Sequence, residues 1–258
     1  MDSNVVLIKT DDIVGLDVDN MQFSNIVPSD SSDTTNKIFE VGSVNLNTTD
    51  SFMINRMNIS YTSLKLFSLS SISNPDMNGT SLILSSLVYQ HCLIEFSNDM
   101  ILLESIETRG DFQIIIDQAT VSNITFSRGG NIVKFRHQTI TQLELTNSMF
   151  SDISSGSLQL NWFNQQSNDL STKVRLDNVT VTNYDGNSNS FLHVIEGGNL
   201  QIDNSIFTGM YNFDSGTVVR GETSTAEVLI NNSVFENNTS IDGGVFLVED
   251  ESVLKLYN

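Results

Sequence analysis

Two aspartates that occupy matching positions in successive segments are the first candidates for chemistry. Asp177 stands in VRLDNVTV and Asp203 in LQIDNSIF, each directly before an asparagine. If these segments stack as neighbouring strands, the two carboxylates lie about 5 Å apart, the spacing of the acid and the nucleophile in a retaining glycosidase. With neighbouring carbonyl oxygens, the same pair could hold Ca²⁺. The alternative, which we favour, is that both carboxylates face water beside a turn, where Asp is common regardless of function.

The histidines and the single cysteine form no recognisable nucleophilic site. His91, His137 and His193 lie in different sequence contexts, and no Ser or Cys recurs at a fixed distance from them. His91 and Cys92 are adjacent, so that on a strand they face opposite sides. One cysteine supplies neither an internal disulfide nor a paired zinc ligand, and we interpret Cys92 as a packed thiol. We therefore predict no catalytic residue, no metal site and no cofactor beyond the Ca²⁺ alternative.

An aromatic pair beside amides suggests a glycan contact. Trp162 and Phe163 occur in LNWFNQQSND, and aromatic rings next to amide side chains are a combination that binds sugars. Packing of this segment against the body of the protein is the alternative that we favour. Glycans could also be attached at eight N-glycosylation sequons, whose acceptors are Asn47, Asn58, Asn78, Asn123, Asn178, Asn231, Asn237 and Asn238. They give only weak support for secretion, because Asn, Ser and Thr are so abundant that several sequons are expected by chance.

The charge of the chain argues against two classes of partner. Lys and Arg number 12 against 31 Asp and Glu, a net charge of -19, so the surface repels nucleic-acid phosphates and anionic lipids. No apolar run approaches the roughly 20 residues of a membrane-spanning helix. The first residues, MDSNVVLIKTDD, lack the basic start and apolar segment of a secretory signal. We predict no nucleic-acid partner and no membrane insertion.

The elements that must position these residues are repeats of one short pattern. The pattern in LQIDNSIF returns as LDVDNMQF, LELTNSMF, VRLDNVTV and VLINNSVF. Apolar residues stand two and four positions before each anchor of the pattern, and three positions after each anchor that further sequence follows. The alignment gives nine anchors, separated by intervals of 26 to 36 residues: Asn20, Arg56, Ser86, Gln118, Asn147, Asn178, Asn204, Asn232 and Asn258.

The spacing of the repeat predicts the fold. Apolar residues two positions apart indicate strands, and a period of 20 to 50 residues indicates a solenoid in which each coil buries its apolar face against the next. Glycines permit sharp corners between strands, and they recur at Gly42, Gly110, Gly130, Gly156, Gly198, Gly216, Gly221 and Gly244. Three short strands and three corners per coil describe an all-β, single-stranded parallel β-helix of roughly eight coils. We expect residues 1–258 to form a single domain.

The anchor asparagines have a structural explanation. At a corner, Asn tolerates the left-handed backbone conformation, and its amide can pair with the same amide about 4.8 Å away in the next coil. Ser86 and Gln118 could join such a ladder imperfectly, whereas at Arg56 we expect local distortion. The predicted structural ladder consists of Asn20, Asn147, Asn178, Asn204, Asn232 and Asn258.

The repeat pattern resembles the pectin-lyase-like superfamily of right-handed parallel β-helices. The string FENNTSIDGGVF, at residues 235–246, is similar to the FxxN and GGxI repeats of chlamydial polymorphic outer membrane proteins, and large ciliate surface proteins carry comparable arrays. The resemblance implies a right-handed helix and a polysaccharide-related or cell-surface function. Of the NTD, DD, GHG and RIK strings of polygalacturonase-like enzymes, only a DD pair, Asp11 and Asp12, is present in this chain.

The sequence favours a structural function over a catalytic one. We expect an extracellular or cell-surface glycoprotein with the shape of a rod. It takes part in a surface, adhesive or filament assembly and binds other proteins, itself or glycans. The alternative is a polysaccharide lyase or hydrolase of pectin-lyase-like fold. Incomplete coils at NVVLI and LKLYN lead us to expect a segment of a longer array, or ends that partner subunits cover.

Overall fold

The fold was obtained as a computed structural model, which contains strands and no helix among the residues it describes. These residues are 6–10, 16–25, 37–44, 51–61, 65–72, 80–94, 101–103, 112–135, 140–160, 173–186, 190–195, 199–222, 227–242, 244–248 and 253–258.

One sheet contains the strand that precedes each anchor. Its nine strands lie in the order of the chain and every neighbouring pair is parallel. The register joins equivalent repeat positions, as in Asp177 with Asp203. The strands are β2 (Leu16–Asp19), β5 (Ser51–Asn55), β8 (Thr80–Ser85), β11 (Phe112–Asp117), β13 (Ile140–Thr146), β15 (Lys173–Asp177), β18 (Asn199–Asp203), β22 (Glu227–Asn231) and β26 (Val253–Tyr257).

The other seventeen strands form a second sheet on the remaining faces. β12 and β14 run through a corner without a break, which joins strands of different faces into one sheet. The strands are β1 (Val6–Thr10), β3 (Gln22–Ser24), β4 (Lys37–Val44), β6 (Asn58–Ser60), β7 (Lys65–Ile72), β9 (Val88–Ile94), β10 (Ile101–Leu103), β12 (Thr120–Phe135), β14 (Met149–Leu160), β16 (Thr180–Asp185), β17 (Leu192–Ile195), β19 (Ile206–Thr208), β20 (Tyr211–Ser215), β21 (Val219–Glu222), β23 (Val234–Glu236), β24 (Thr239–Asp242) and β25 (Phe246–Val248).

The chain is a parallel β-solenoid. The predicted all-β solenoid class is confirmed by the parallel, in-register pairing of strands from successive repeats. The expectation of roughly eight coils with three short strands each is wrong. Strand β12 has 16 residues and β14 has 12, whereas the stretch from β18 to β21 divides into four short strands.

The predicted left-handed corner occurs at every anchor that has a following strand. The φ angles of these eight residues lie between 46° and 58°. Arg56 has a φ of 49° and its amide donates to the Ser85 carbonyl at 3.0 Å, as the equivalent amides do elsewhere. The expected distortion at Arg56 is therefore wrong, because its long side chain leaves the corner and reaches Asp19 in the preceding coil.

A second left-handed corner follows each anchor by five residues and was not predicted. Its residue types vary more than those of the anchors: Asn25, Tyr61, His91, Asn123, Asp152, Asn183, Gly209 and Asn237. Of the predicted glycine corners, Gly216 and Gly244 have positive φ. Gly130 and Gly156 instead pair with each other inside β12 and β14, and Gly42 and Gly221 lie within β4 and β21. Gly110 and Gly198 lie outside the described residues.

The apolar columns predicted from the repeat fill the interior. The column two positions before the anchors is buried from Val18 to Ile230, and only at β26 does it become exposed, at Leu256. Aromatic rings continue the core along the axis, with Phe191 in edge contact with Phe150, Tyr184 and Phe207. Parallel stacking of coils therefore buries a continuous core that no coil could form alone.

Replacing Ile54 by Ala should lower the free energy of unfolding by about 2–5 kcal/mol, because the fully buried side chain leaves a cavity between coils. Replacing its neighbour Met53 by Ala should change the free energy of unfolding by less than about 0.5 kcal/mol, because Met53 is 40% exposed and faces outward. Urea unfolding followed by circular dichroism measures both. Equal losses for the two variants would contradict the inward and outward assignment of β5.

Candidate functional site

The Asp177 and Asp203 side chains lie in one column, as the repeat alignment predicted. Each ends its strand, β15 or β18, directly before a left-handed corner, and the two residues are paired in register. Asp203 is buried and Asp177 is half-buried. The fold therefore brings together the two carboxylates that the sequence offered as candidates.

Asp177 is held by groups of its own chain. The Arg175 guanidinium donates to Asp177 Oδ2 at 2.8 Å, and the Asn204 side-chain amide donates to Asp177 Oδ1 at 2.9 Å. Arg175 lies two residues before Asp177 on the same strand, so both side chains point to the same face of the sheet. Both carboxylate oxygens of Asp177 thus accept a hydrogen bond inside the protein.

Asp203 is held in the same way and shares the same guanidinium. Asn231 Nδ2 donates to Asp203 Oδ1 at 2.7 Å, and Gln201 Nε2 donates to Asp203 Oδ2 at 2.7 Å. Arg175 Nε lies 3.8 Å from Asp203 Oδ2, so the positive charge stands between both carboxylates. A nucleophile or a Ca²⁺ ligand would have to give up these bonds, which favours a structural role for the pair.

The column of which the pair is part continues along the sheet as a mixed ladder. Asn55 Nδ2 donates to Asp19 Oδ1 at 3.0 Å, and the Ser85 hydroxyl donates to Asn55 Oδ1 at 3.1 Å. Thr146 donates to Asp117 Oδ1 at 2.7 Å. In each case the donor belongs to the following coil, so the residues before the anchors link consecutive coils from the outside.

The amide ladder predicted for the anchors differs from the one observed. Asn178 does donate to the Asn147 amide oxygen at 2.9 Å, and Ser86 contacts Gln118 Oε1 at 3.4 Å. Asn147 and Asn204, however, donate to aspartates of the preceding coil. Carboxylates are stronger acceptors than amides, which explains why the neighbouring column captures these donors. Among the described residues, no side-chain hydrogen bond joins Asn20, Asn232 or Asn258 to a neighbouring anchor.

A groove runs over the outer face of the nine-stranded sheet beside the aspartate pair. Its volume is about 240 Å³. The residues that line it are Gln142, Val174, Arg175, Asn199, Leu200, Gln201, Glu227 and Leu229, of which Val174 and Leu200 direct their side chains into the core. The Gln201 amide nitrogen is committed to Asp203, and the Glu227 carboxylate is paired with Lys255. The groove has polar and apolar walls, but its charged groups are already paired with other groups of the protein.

The remaining sequence candidates are dispersed. Trp162 and two sequon asparagines, Asn47 and Asn78, lie outside the described residues. The side chains of Asn58, Asn123, Asn178 and Asn237 are exposed, whereas those of Asn231 and Asn238 are half-buried with their amide nitrogens donated inside the protein.

His91 and Cys92 face opposite sides of β9, as predicted, with Cys92 buried. The exposed His91 ring stacks on Tyr61 with centroids 4.9 Å apart, and His91 Nδ1 is hydrogen-bonded to Asn123 at 2.7 Å. In the part of the chain that the structure describes, no three His, Cys, Asp or Glu side chains converge on a metal position.

No helix long and apolar enough to cross a membrane occurs in the described ranges.

Comparisons with protein-family models, with curated proteins and with solved structures found no match. The resemblance to the pectin-lyase-like superfamily therefore stays a prediction from the repeat pattern. The parallel β-solenoid fold rests on the strand pairing itself.

Sequence reasoning missed Arg175 and the second corner column. Arg175 could have been found, because a residue two positions before Asp177 on a predicted strand shares its face. The second corner carries Asn in four coils but Tyr, His, Asp or Gly in the others. The Asn that recurs five residues after the anchor in those four coils is the signal that could have found it.

Replacing Asn204 by Ala should destabilise the protein more than replacing it by Gly. Both variants lose the hydrogen bond to Asp177, but only Ala meets the steric penalty of the left-handed conformation, which costs about 1–2 kcal/mol. The difference between their free energies of unfolding in urea measures that penalty. Equal stability of the two variants would show that the corner relaxes.

The Asp19 carboxyl should titrate below its usual pKa of 3.8, chiefly because the Arg56 guanidinium donates a hydrogen bond to it. Because the folded-state pKa is depressed, the ion pair contributes its stabilisation above the unfolded-state pKa and loses it as the pH falls through the lower folded-state value. Replacing Arg56 by Gln should raise the pKa of Asp19 towards 3.8, as followed by NMR of its carboxyl carbon. Arg175→Gln is the matched control and should leave the titration of Asp19 unchanged.

Proposed function

We propose that this chain is a structural or adhesive rod in an extracellular or cell-surface assembly, such as a filament or matrix. In this role the solenoid holds partner-binding side chains at a fixed spacing and binds other proteins, or glycans, along its exposed columns. The single observation that carries the proposal is the register of the nine-stranded sheet, which keeps the repeat positions aligned apart from a shift beside Phe112 at the start of β11. Equivalent residues of successive repeats stand side by side from β2 to β26.

The register supports the proposal because it makes one face of the protein periodic. Parallel strands lie about 4.8 Å apart, so nine of them span roughly 40 Å along the axis. A residue type that recurs at one repeat position therefore forms a row of that length. Such rows suit an extended partner better than a small substrate, which needs a few groups that converge.

The side-chain ladders support a mechanical role as well. Each anchor amide that has a following strand donates to a carbonyl of the next coil, and the aspartate column adds side-chain bonds across the same interface. Pulling two coils apart would break backbone and side-chain bonds together. The net charge of -19 keeps such rods apart in solution and draws cationic partners towards them.

A carbohydrate-active enzyme is the less favoured function. Its strongest support is the groove beside Asp177 and Asp203. Both carboxylates already accept two hydrogen bonds from the chain and share the charge of Arg175. A general acid or nucleophile needs an oxygen that faces the substrate, and this arrangement offers none without a change of partners.

The location and assembly of the native protein test the proposed function. Antibodies raised against the folded chain should label the outside of intact cells that make it, in rows or patches that follow a filament or matrix. Pre-immune serum and an antibody to an internal protein are the controls. Gold particles confined to the cell interior, or scattered over single unassembled molecules, would contradict the proposal.

A further inference from the structure

Three large apolar side chains are exposed side by side on two neighbouring strands. We call Tyr211, Phe213 and Ile241 the apolar patch; Tyr211 and Phe213 lie on β20 and Ile241 lies on β24. Their exposed fractions are 43%, 60% and 67%. Before the corner at Gly209, the paired residues Ile206 and Val234 are each 43% exposed as well. Contiguous exposed apolar side chains of this kind mark interaction sites.

A β-bulge lies at the centre of the patch. Asn212 pairs with Ser240 and Ser215 pairs with Asp242, so Phe213 and Asp214 together stand opposite Ile241. Phe213 stands two residues after the exposed Tyr211, with the buried Asn212 between them, so the alternation of the strand directs both rings outward. The exposure of Phe213 thus follows from the strand itself.

The backbone beneath the patch is held in place. Asn212, between Tyr211 and Phe213, is fully buried, and its amide donates to the Gly216 carbonyl at 3.3 Å. The Gly216 amide donates to the Asp242 carbonyl at 2.9 Å across the two strands. A Cβ at Gly216 would approach the Val219 carbonyl oxygen to 2.6 Å, so this corner requires glycine. A surface fixed in this way loses little conformational entropy when a partner binds.

Three exposed carboxylates lie on the strands around the patch. Asp185 pairs in register with Tyr211, and Glu236 and Asp242 stand on the adjacent β23 and β24, all three exposed. The five strands β16, β19, β20, β23 and β24 contain no Lys, Arg or His. The charge complement of this surface is therefore a cationic partner with apolar side chains.

We propose that the apolar patch is a docking site for a protein segment in which Lys or Arg alternates with large apolar residues. Aromatic and aliphatic side chains of the segment cover Phe213 and Ile241, and its cations pair with the acidic rim. A second copy of the chain would bring its own acidic rim against the first, and anionic lipid would meet the same repulsion. The inference rests on the proposed role as a protein-binding rod and names the chemistry of one partner.

Binding of two fluorescent synthetic peptides tests the docking site. One alternates Lys with Tyr and the other alternates Lys with Ser, at equal length and charge. The full chain should bind the Lys–Tyr peptide at least about tenfold more tightly, as measured by fluorescence anisotropy. Affinity should fall as salt is raised towards about 0.15 M, since part of the attraction is electrostatic. Equal affinity for both peptides would overturn the proposal, because bulk charge alone would then explain binding.

Variants locate the site. Phe213→Ser combined with Ile241→Ser should remove the preference for the Lys–Tyr peptide, and Asp185→Asn combined with Glu236→Gln should weaken the salt dependence. Leu93→Ser is the matched control, because Leu93 is 45% exposed on β9, in a distant coil. Circular dichroism verifies that each variant is folded. A preference that survives the loss of Phe213 and Ile241, or that disappears in the Leu93 variant, would overturn the proposal.

Two further outcomes identify a different occupant and also overturn the proposal. One is self-association in sedimentation that Phe213→Ser abolishes, and the other is binding to neutral lipid vesicles in place of the peptide. The result is separable from that of the cell-surface experiment. A chain found on the surface that ignores the Lys–Tyr peptide loses only this inference, whereas a chain found inside the cell loses the proposed function even if the peptide binds.

Discussion

The hydrogen bond between one coil and the next is the interaction on which the rest of this structure depends. At every anchor with a following strand, a left-handed residue donates its amide to the coil that follows, at distances between 3.0 and 3.3 Å. Because the bond recurs at the same repeat position, the strands before the anchors cannot slip relative to one another. A slip of one residue would turn Leu176 and its equivalents outward and expose the core.

The same constraint decides what the outer surface can do. Asp177 and Asp203 are brought close together because register forces equivalent residues into a column. Register also brings donors to them, since Asn204, Asn231 and Gln201 occupy fixed neighbouring positions. Two stacked carboxylates would repel each other without these donors and without Arg175. The hydrogen bonds that stabilise the two carboxylates side by side also occupy the oxygens that a reaction would need.

The coils differ from one another in side chains that do not take part in the backbone bonds between coils. Arg56 stands at an anchor position where most coils have asparagine, and the backbone there is undisturbed because the Arg56 guanidinium donates a hydrogen bond to Asp19. Phe213 is exposed on β20, next to carboxylates and on a strand without a cation. A repeat scaffold thus tolerates local changes as long as the bonds between coils stay in register, which is how a uniform core can support a distinct docking surface.

The sequence by itself determined the class of the fold and the identity of its inward columns. Apolar residues at two and four positions before each anchor have the period of a strand, and burial of such positions is required wherever coils stack. The left-handed anchor was predictable too, because Asn tolerates that conformation. Only the tertiary structure decided which side chains meet across coils. The capture of Asn147 and Asn204 by aspartates, the second corner at residues as different as Tyr61 and Gly209, and the bulge at Phe213 depend on distances between strands far apart in the chain. Those distances carry no local signal, since any short polar residue before an anchor fits the repeat equally well.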